Sequence, residues 1–156
     1  MTTTTHQTIL ELARSLPGGD EATSPYDPVA VEAIAAALGE RIGASEVGVV
    51  VVWERLDDVV LGHVLATKLR AAVARAFVDE GVIGFDGEVA LDGPGVIVVS
   101  EPDAYPGVTA LARLARTSGA TDITVATVTS PRTPIDLDGV RLIDLSAAEA
   151  VRGDHE

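Results

Sequence analysis

The stretch Gly95–Ala120, GVIVVSEPDAYPGVTALARLARTSGA, decides how the chain folds. Val96-Ile97-Val98-Val99 is continuously apolar, the pattern of a strand covered on both faces. Ser100 to Gly107 then interrupts the run with two prolines and two carboxylates, Glu101 and Asp103. From Val108 the apolar positions Val108, Leu111, Ala112 and Ala115 recur at helical spacing, and Gly119 is placed to close the helix. The segment reads as strand, loop, helix.

A second apolar run lies upstream, Val47-Gly48-Val49-Val50-Val51-Val52-Trp53. The charged loop Glu54 to Asp58 follows it. Asp58 is expected to cap a helix reaching about Arg70, with Leu61, Val64, Leu65 and Leu69 inward. Ala72 to Val78 reads as a strand and Asp79-Glu80-Gly81 as a turn. Val82 to Phe85 and Glu88 to Leu91 are expected as short antiparallel strands, and Asp92-Gly93-Pro94-Gly95 as a further turn. Downstream, Ile123, Val125 and Val128 mark a strand, Ser130 to Pro134 a loop, and Val140 to Leu145 a last strand. Near the start, Ile9, Leu12, Ala13 and Leu16 suit a short amphipathic helix stopped by Pro17-Gly18-Gly19. Asp27-Pro28 opens another, with Val31, Ile34, Ala35, Leu38 and Ile42 inward and Gly43 past its end.

Alternating strands and helices predict an α/β fold. The expectation is a single domain: a mainly parallel central sheet with helices on both faces, and the two Val-rich runs as parallel neighbours within it. Residues 28–156 form the core. Residues 1–27 are an N-terminal arm, of which 8–26 is expected to supply a hood or a dimer contact. In such sheets ligands sit beyond the carboxyl ends of the strands. The loops at 53–58, 100–109 and 129–134 are therefore the places to look.

Composition narrows the function classes. The 156 residues include 24 acidic against 11 basic side chains, a net charge of -13. That field repels a phosphate backbone, so no nucleic-acid partner is expected. One Trp, two Tyr and two Phe are too few for a base-stacking platform. The chain has no cysteine, which excludes disulfides, thiolate metal sites and a cysteine nucleophile. The longest apolar run is far too short for a membrane span, and no secretory signal opens the sequence. The expected setting is cytoplasmic. No HExxH, G-x-S-x-G or Walker loop is present. His63 falls near the polar face of its helix, and His6 and His155 lie near the ends.

The segment Gly95–Ala120 resembles the diphosphate-sugar signature of the type I phosphoribosyltransferases. There a buried strand ends in two acidic residues, followed by a Thr-Gly-x-Thr loop and a helix. The resemblance implies an acidic pair on the ribose hydroxyls of phosphoribosyl pyrophosphate. It also implies a loop cradling the 5′-phosphate at a helix N-terminus, where free amides and the dipole favour an anion. The acidic pair falls at Glu101 and Pro102, so one carboxylate is lost, and Asp103 stands one position later. The phosphate loop falls at Pro106-Gly107-Val108-Thr109. Gly107 and Thr109 match; Pro106 lacks the expected hydroxyl and amide donor.

The resemblance extends over roughly residues 28–145. It equates Trp53-Glu54-Arg55-Leu56-Asp57-Asp58 with the family's pyrophosphate loop, which is usually small and Gly-rich. Here Glu54, Asp57 and Asp58 accompany the single cation Arg55. At an effective dielectric of 20, one like-charge pair at 4 Å costs about 4 kcal/mol before screening. Three carboxylates facing pyrophosphate would call for Mg2+ or a large rearrangement. The stretch matching the family's flexible catalytic loop, Ala74 to Gly95, carries Arg75 as its one basic residue.

Two functions follow. The first is a non-catalytic phosphoribosyltransferase-like binding or regulatory module with weak affinity for a phosphorylated sugar or nucleotide at Gly107, Val108 and Thr109. The alternative is a divergent purine or pyrimidine phosphoribosyltransferase in which Glu101 and Asp103 hold ribose or its Mg2+. The residues also admit plainer readings. Gly107–Thr109 is a strand-to-helix turn, Glu101 and Asp103 are solvated loop carboxylates or a cap for the helix behind them, and Trp53 is core edging or an interface anchor. Arg113 and Arg116 are a solvated helix face or a contact in a homo-oligomer.

Overall fold

The computed structural model describes residues 28–43, 46–103, 106–135 and 137–146. The expected helix at 9–16, the arm at 1–27 and the tail beyond 146 lie outside them. The elements run α1 (Pro28–Ile42), β1 (Val49–Trp53), α2 (Leu56–Leu69), β2 (Ala72–Asp79), β3 (Val82–Phe85), β4 (Gly93–Val99), α3 (Val108–Thr117), β5 (Ala120–Thr127) and β6 (Val140–Asp144).

Six strands form one sheet in the order β3-β2-β1-β4-β5-β6. All neighbours are parallel except β2 and β3, which form an antiparallel hairpin. The two Val-rich runs are adjacent and parallel, with Val50 opposite Val96 and Val51 opposite Ile97. Every residue of β1 is buried, as the unbroken apolar run requires of a central strand. The β2–β3 turn places Glu80 at φ 47 and Gly81 at φ 82, the two left-handed positions of a tight hairpin whose twist matches its strands.

Alternation of side chains along the strands divides the core in two. Val50, Val52, Val96, Val98, Ala126 and Ile143 face α1 and α2. Val49, Val51, Trp53, Ile97, Val99 and Val125 face α3. Helices therefore cover both faces. The stripe Val31, Ile34, Ala35, Leu38 and Ile42 of α1 is buried throughout. A Cβ at Gly62 would overlap the Val52 side chain, so the missing side chain lets α2 lie close on β1.

Several local expectations need correction. The N-cap position of α2 is Arg55, two residues into the charged loop, and Asp58 lies inside the first turn. Residues 88–92 form no strand: the Leu91 amide bonds the Ser118 carbonyl, and Leu91 is buried in the α3-side core. Gly93–Gly95 is the start of β4 with a register shift, not a turn. Ser118 is the C-cap of α3, and Gly119 follows it at φ 114. The stretch matched to a flexible catalytic loop is largely the β2–β3 hairpin, where Arg75 pairs with Asp86. Among the described residues no helix is long and apolar enough to cross a membrane.

Candidate functional site

The carboxyl ends of β1, β4 and β5 lie side by side, and the three loops that leave them are bonded together. Asp58 is the hub. Its side chain is fully buried (0 % exposed). Its Oδ1 accepts from the Ser100 amide at 2.8 Å and the Ser100 hydroxyl at 2.6 Å. Its Oδ2 accepts from Arg55 Nε at 3.1 Å. Thr129 Oγ1 donates to the Ser100 carbonyl at 3.3 Å, which draws in the β5 loop. Asp103 extends the same stitching: its carboxylate accepts from the Arg132 amide at 2.9 and 3.1 Å and from the Thr133 amide at 3.4 Å.

These bonds divide the expected site residues into two groups. Around β1, Arg55 is committed to Asp58, Glu54 is exposed, and Leu56 stands 68 % exposed beside them. The Asp57 carboxyl is pushed above its ordinary range, first by partial burial and then by the negative charges of Asp58 and Glu101. Glu101 is exposed and Pro102 beside it is buried. An anion arriving here meets the negative charges of Asp57 and Glu101, and Arg55 engages Asp58 through Nε.

The end of β4 is different. Gly107 holds the N-cap position of α3 in extended backbone, φ -75 and ψ 163, and no side chain caps the helix. A Cβ at Gly107 would meet nothing within 4 Å, so the approach to the first turn is open. Val108 is buried and anchors the turn, while Thr109 is half-buried. Because the first amides of a helix have no partner within it, those of Val108 and Thr109 are donors facing outward from an uncapped end. No acidic residue stands in this first turn.

The fit of Mg2+ follows from the donor set. Asp103, one of the two carboxylates expected to hold it, is turned onto backbone amides. Among the described residues no three carboxylate or imidazole groups converge to hold a cation.

Trp53 is 1 % exposed and belongs to the core facing α3, so it packs rather than anchors an interface. Arg116 Nη2 donates to the Asp138 carbonyl. His63 is exposed on α2. Sequence reasoning missed the Asp58–Ser100 bond and the roles of Thr129, Arg132 and Thr133. A serine directly after a buried strand, on the same sheet edge as a helix-turn aspartate, is the signal that could have suggested the first of these.

No protein-family model matches the chain, and no curated protein matches it by sequence. Solved structures do share its fold. The orotate phosphoribosyltransferase of Aeropyrum pernix is 15 % identical, with a TM-score of 0.61 over 94 % of this chain and 97 % of that one. The adenine phosphoribosyltransferase of Saccharomyces cerevisiae, complexed with an imino-altritol bisphosphate and adenine, is 14 % identical, with a TM-score of 0.61 over 86 % and 98 %. A hypothetical protein of Neisseria gonorrhoeae with bound ppGpp is 11 % identical, with a TM-score of 0.59 over 77 % and 80 %. At these identities the likeness is one of fold: this chain is built as the type I phosphoribosyltransferases are.

Proposed function

We propose that the protein is a non-catalytic module on the phosphoribosyltransferase fold that binds a phosphorylated sugar or nucleotide weakly, through the first-turn amides of α3. The observation that carries this reading is the asymmetry between neighbouring loops. The uncapped turn at Gly107–Thr109 offers amides with no acidic residue in the helix's first turn, while pyrophosphate at the end of β1 meets Asp57 of the β1–α2 loop and, across from it, Glu101 just past β4. The only lysine, Lys68, pairs with Glu32 on the far stretch of α2 and lends the site nothing. Binding near the millimolar range, about 4 kcal/mol, is what a few uncharged donors supply. The likeness to a ppGpp-bound protein supports including polyphosphorylated nucleotides among the candidate ligands. The reading places the protein in a cytoplasmic setting, as a monomer or homo-oligomer, with a small phosphorylated ligand as its partner.

The alternative, a divergent phosphoribosyltransferase, needs Glu101 and Asp103 free for ribose or Mg2+. The bonds from Arg132 and Thr133 to Asp103 weigh against it. The test is a thermal-shift panel of nucleoside monophosphates, ppGpp, nucleobases, and phosphoribosyl pyrophosphate with Mg2+. It is run beside an assay of base-dependent pyrophosphate release. A true ligand at a hundred times its Kd adds about 2.7 kcal/mol of stability. Stabilisation by phosphorylated ligands without turnover is expected. Turnover with any of adenine, guanine, hypoxanthine, xanthine, uracil or orotate, lost on Glu101→Ala, would establish the enzyme instead.

A further inference from the structure

Among the described residues, three buried side-chain polar atoms have no hydrogen-bond partner: Trp53 Nε1, Arg55 Nη2 and Thr127 Oγ1. All three lie at the carboxyl end of the sheet, at or just past the ends of β1 and β5. Buried donors are rarely left unpaired, because each forfeits its hydration without return. Two of them, Trp53 Nε1 and Thr127 Oγ1, belong to the two strands that flank β4 in the same sheet, and an acceptor from outside the chain would pair them.

Trp53 and Thr127 share a row. Val99 pairs with Thr127, and continuing the β1–β4 register sets Trp53 beside Val99 on the other side. Alternation turns this row toward α3, since Val125 and Val51, two residues earlier on their strands, face that helix. Val108, the first residue of α3, joins the same apolar cluster as Trp53 and Val99. The indole N–H and the hydroxyl therefore lie on the sheet face that the first turn of α3 covers. Trp53 is 1 % exposed and Thr127 0 % exposed, so water does not satisfy them from the surface.

We infer that Trp53 Nε1–H and Thr127 Oγ1–H complete the anion site begun by the amides of Gly107–Thr109, donating from beneath to the phosphoryl oxygens of a phosphomonoester. This rests on the phosphate reading above and adds to it two binding residues outside the loop. A phosphomonoester matches the set because it offers several acceptor oxygens on one atom, and both the indole N–H and the threonine hydroxyl can donate. In the free protein the two donors are a standing cost. In the complex they are paired, and the ligand draws on donors that the loop alone does not hold.

The chain has a single tryptophan, so its spectrum holds one indole Nε1–H signal, assigned without mutagenesis. Inorganic phosphate is titrated into the ¹⁵N-labelled full chain, and the indole signal is followed together with the amides of Gly107, Val108 and Thr109. All are expected to move with one midpoint. Thr127→Val should raise that midpoint about tenfold. The same variant should raise the Tm of the free protein by about 2–4 °C, since it removes an unsatisfied buried hydroxyl. Thr127→Ser should restore wild-type binding, and Trp53→Phe should weaken it as Thr127→Val does. Opposite signs on stability and binding are what a purely structural threonine would not produce. Amide shifts with an unmoved indole and unchanged binding by both variants overturn this inference and leave the phosphate reading intact. Unmoved amides overturn the phosphate reading and this inference with it.

Discussion

The loops that leave β1 and β4 are neighbours on one sheet edge, and both turn a parallel strand into a helix. They solve the turn in opposite ways. The β1 loop is closed on itself: Arg55 grips Asp58, Asp58 grips Ser100, and the start of α2 is filled with its own charges. The β4 loop is held at one end by Ser100 and Asp103 but leaves the first turn of α3 bare. A strand-to-helix turn becomes a binding place only when the chain declines to satisfy its amides itself. In this molecule the closed loop is tied to the start of the open one through the Asp58–Ser100 bonds.

Removing the hub should have the largest effect. Asp58→Ala leaves the Ser100 amide, the Ser100 hydroxyl and the Arg55 guanidinium without their acceptor in a buried setting. A loss of about 3 kcal/mol is expected by urea denaturation. Asp58→Asn keeps one acceptor oxygen and should lose less. Equal stability of Asp58→Ala and wild type would mean that the two loops do not support one another.

Asp103→Ala is next. It frees the amides of Arg132 and Thr133, but all three residues are exposed, so the expected loss is under about 1 kcal/mol. Hydrogen exchange at residues 132 and 133 should rise while β4 and β5 stay protected. Uniform exchange across the sheet would contradict this.

Asp57→Asn sharpens the electrostatic half of the comparison. The folded Asp57 carboxyl titrates above its unfolded value, so the native state holds the proton more tightly. Stability from this group is present at low pH and falls as pH rises from about 3.9 through the raised value. Asp57→Asn should remove that fall and be the more stable protein at neutral pH. Wild type and variant with parallel stability–pH curves would sink the assignment.

Thr109→Ala is expected to be the mildest. The hydroxyl lies half-buried at the edge of the open turn. Its loss should weaken phosphate binding about threefold and leave the Tm within about 2 °C. A large drop in Tm would make Thr109 a structural cap rather than a binding group.

The parts of this architecture legible from the sequence were those with a period. The Val-rich runs of β1 and β4 and the stripes of α1 and α3 carry their burial in their spacing. The stretch from Glu88 to Gly95 was misread because its signals compete. Gly93, Pro94 and Gly95 are turn formers, yet Gly95 takes its place in the sheet between Val49 of β1 and Ile123 of β5. Asp58 was misread for another reason. An aspartate three residues past a helix's N-cap position looks like a cap itself, and only the tertiary placement of Ser100, 42 residues on, reveals its partner. The paired rows of Trp53, Val99 and Thr127 depend on register, which no single-strand pattern contains.

The strand order has a consequence for how the chain could be divided. β1, β2 and β3 come from residues 49–85 and β4, β5 and β6 from residues 93–144, so the sheet is two successive blocks laid edge to edge. The β1–β4 pairing is the one ladder between them, crossed by the Asp58–Ser100 bonds and spanned by α1, which touches α2 and, through Arg41, the Asp144 and Leu145 carbonyls at the end of β6. Gly87, at φ 86 with open space around it, lies at the boundary. A protein severed there would yield two complementary fragments, and the proposed anion site would need both, since Trp53 comes from one and the first turn of α3 from the other.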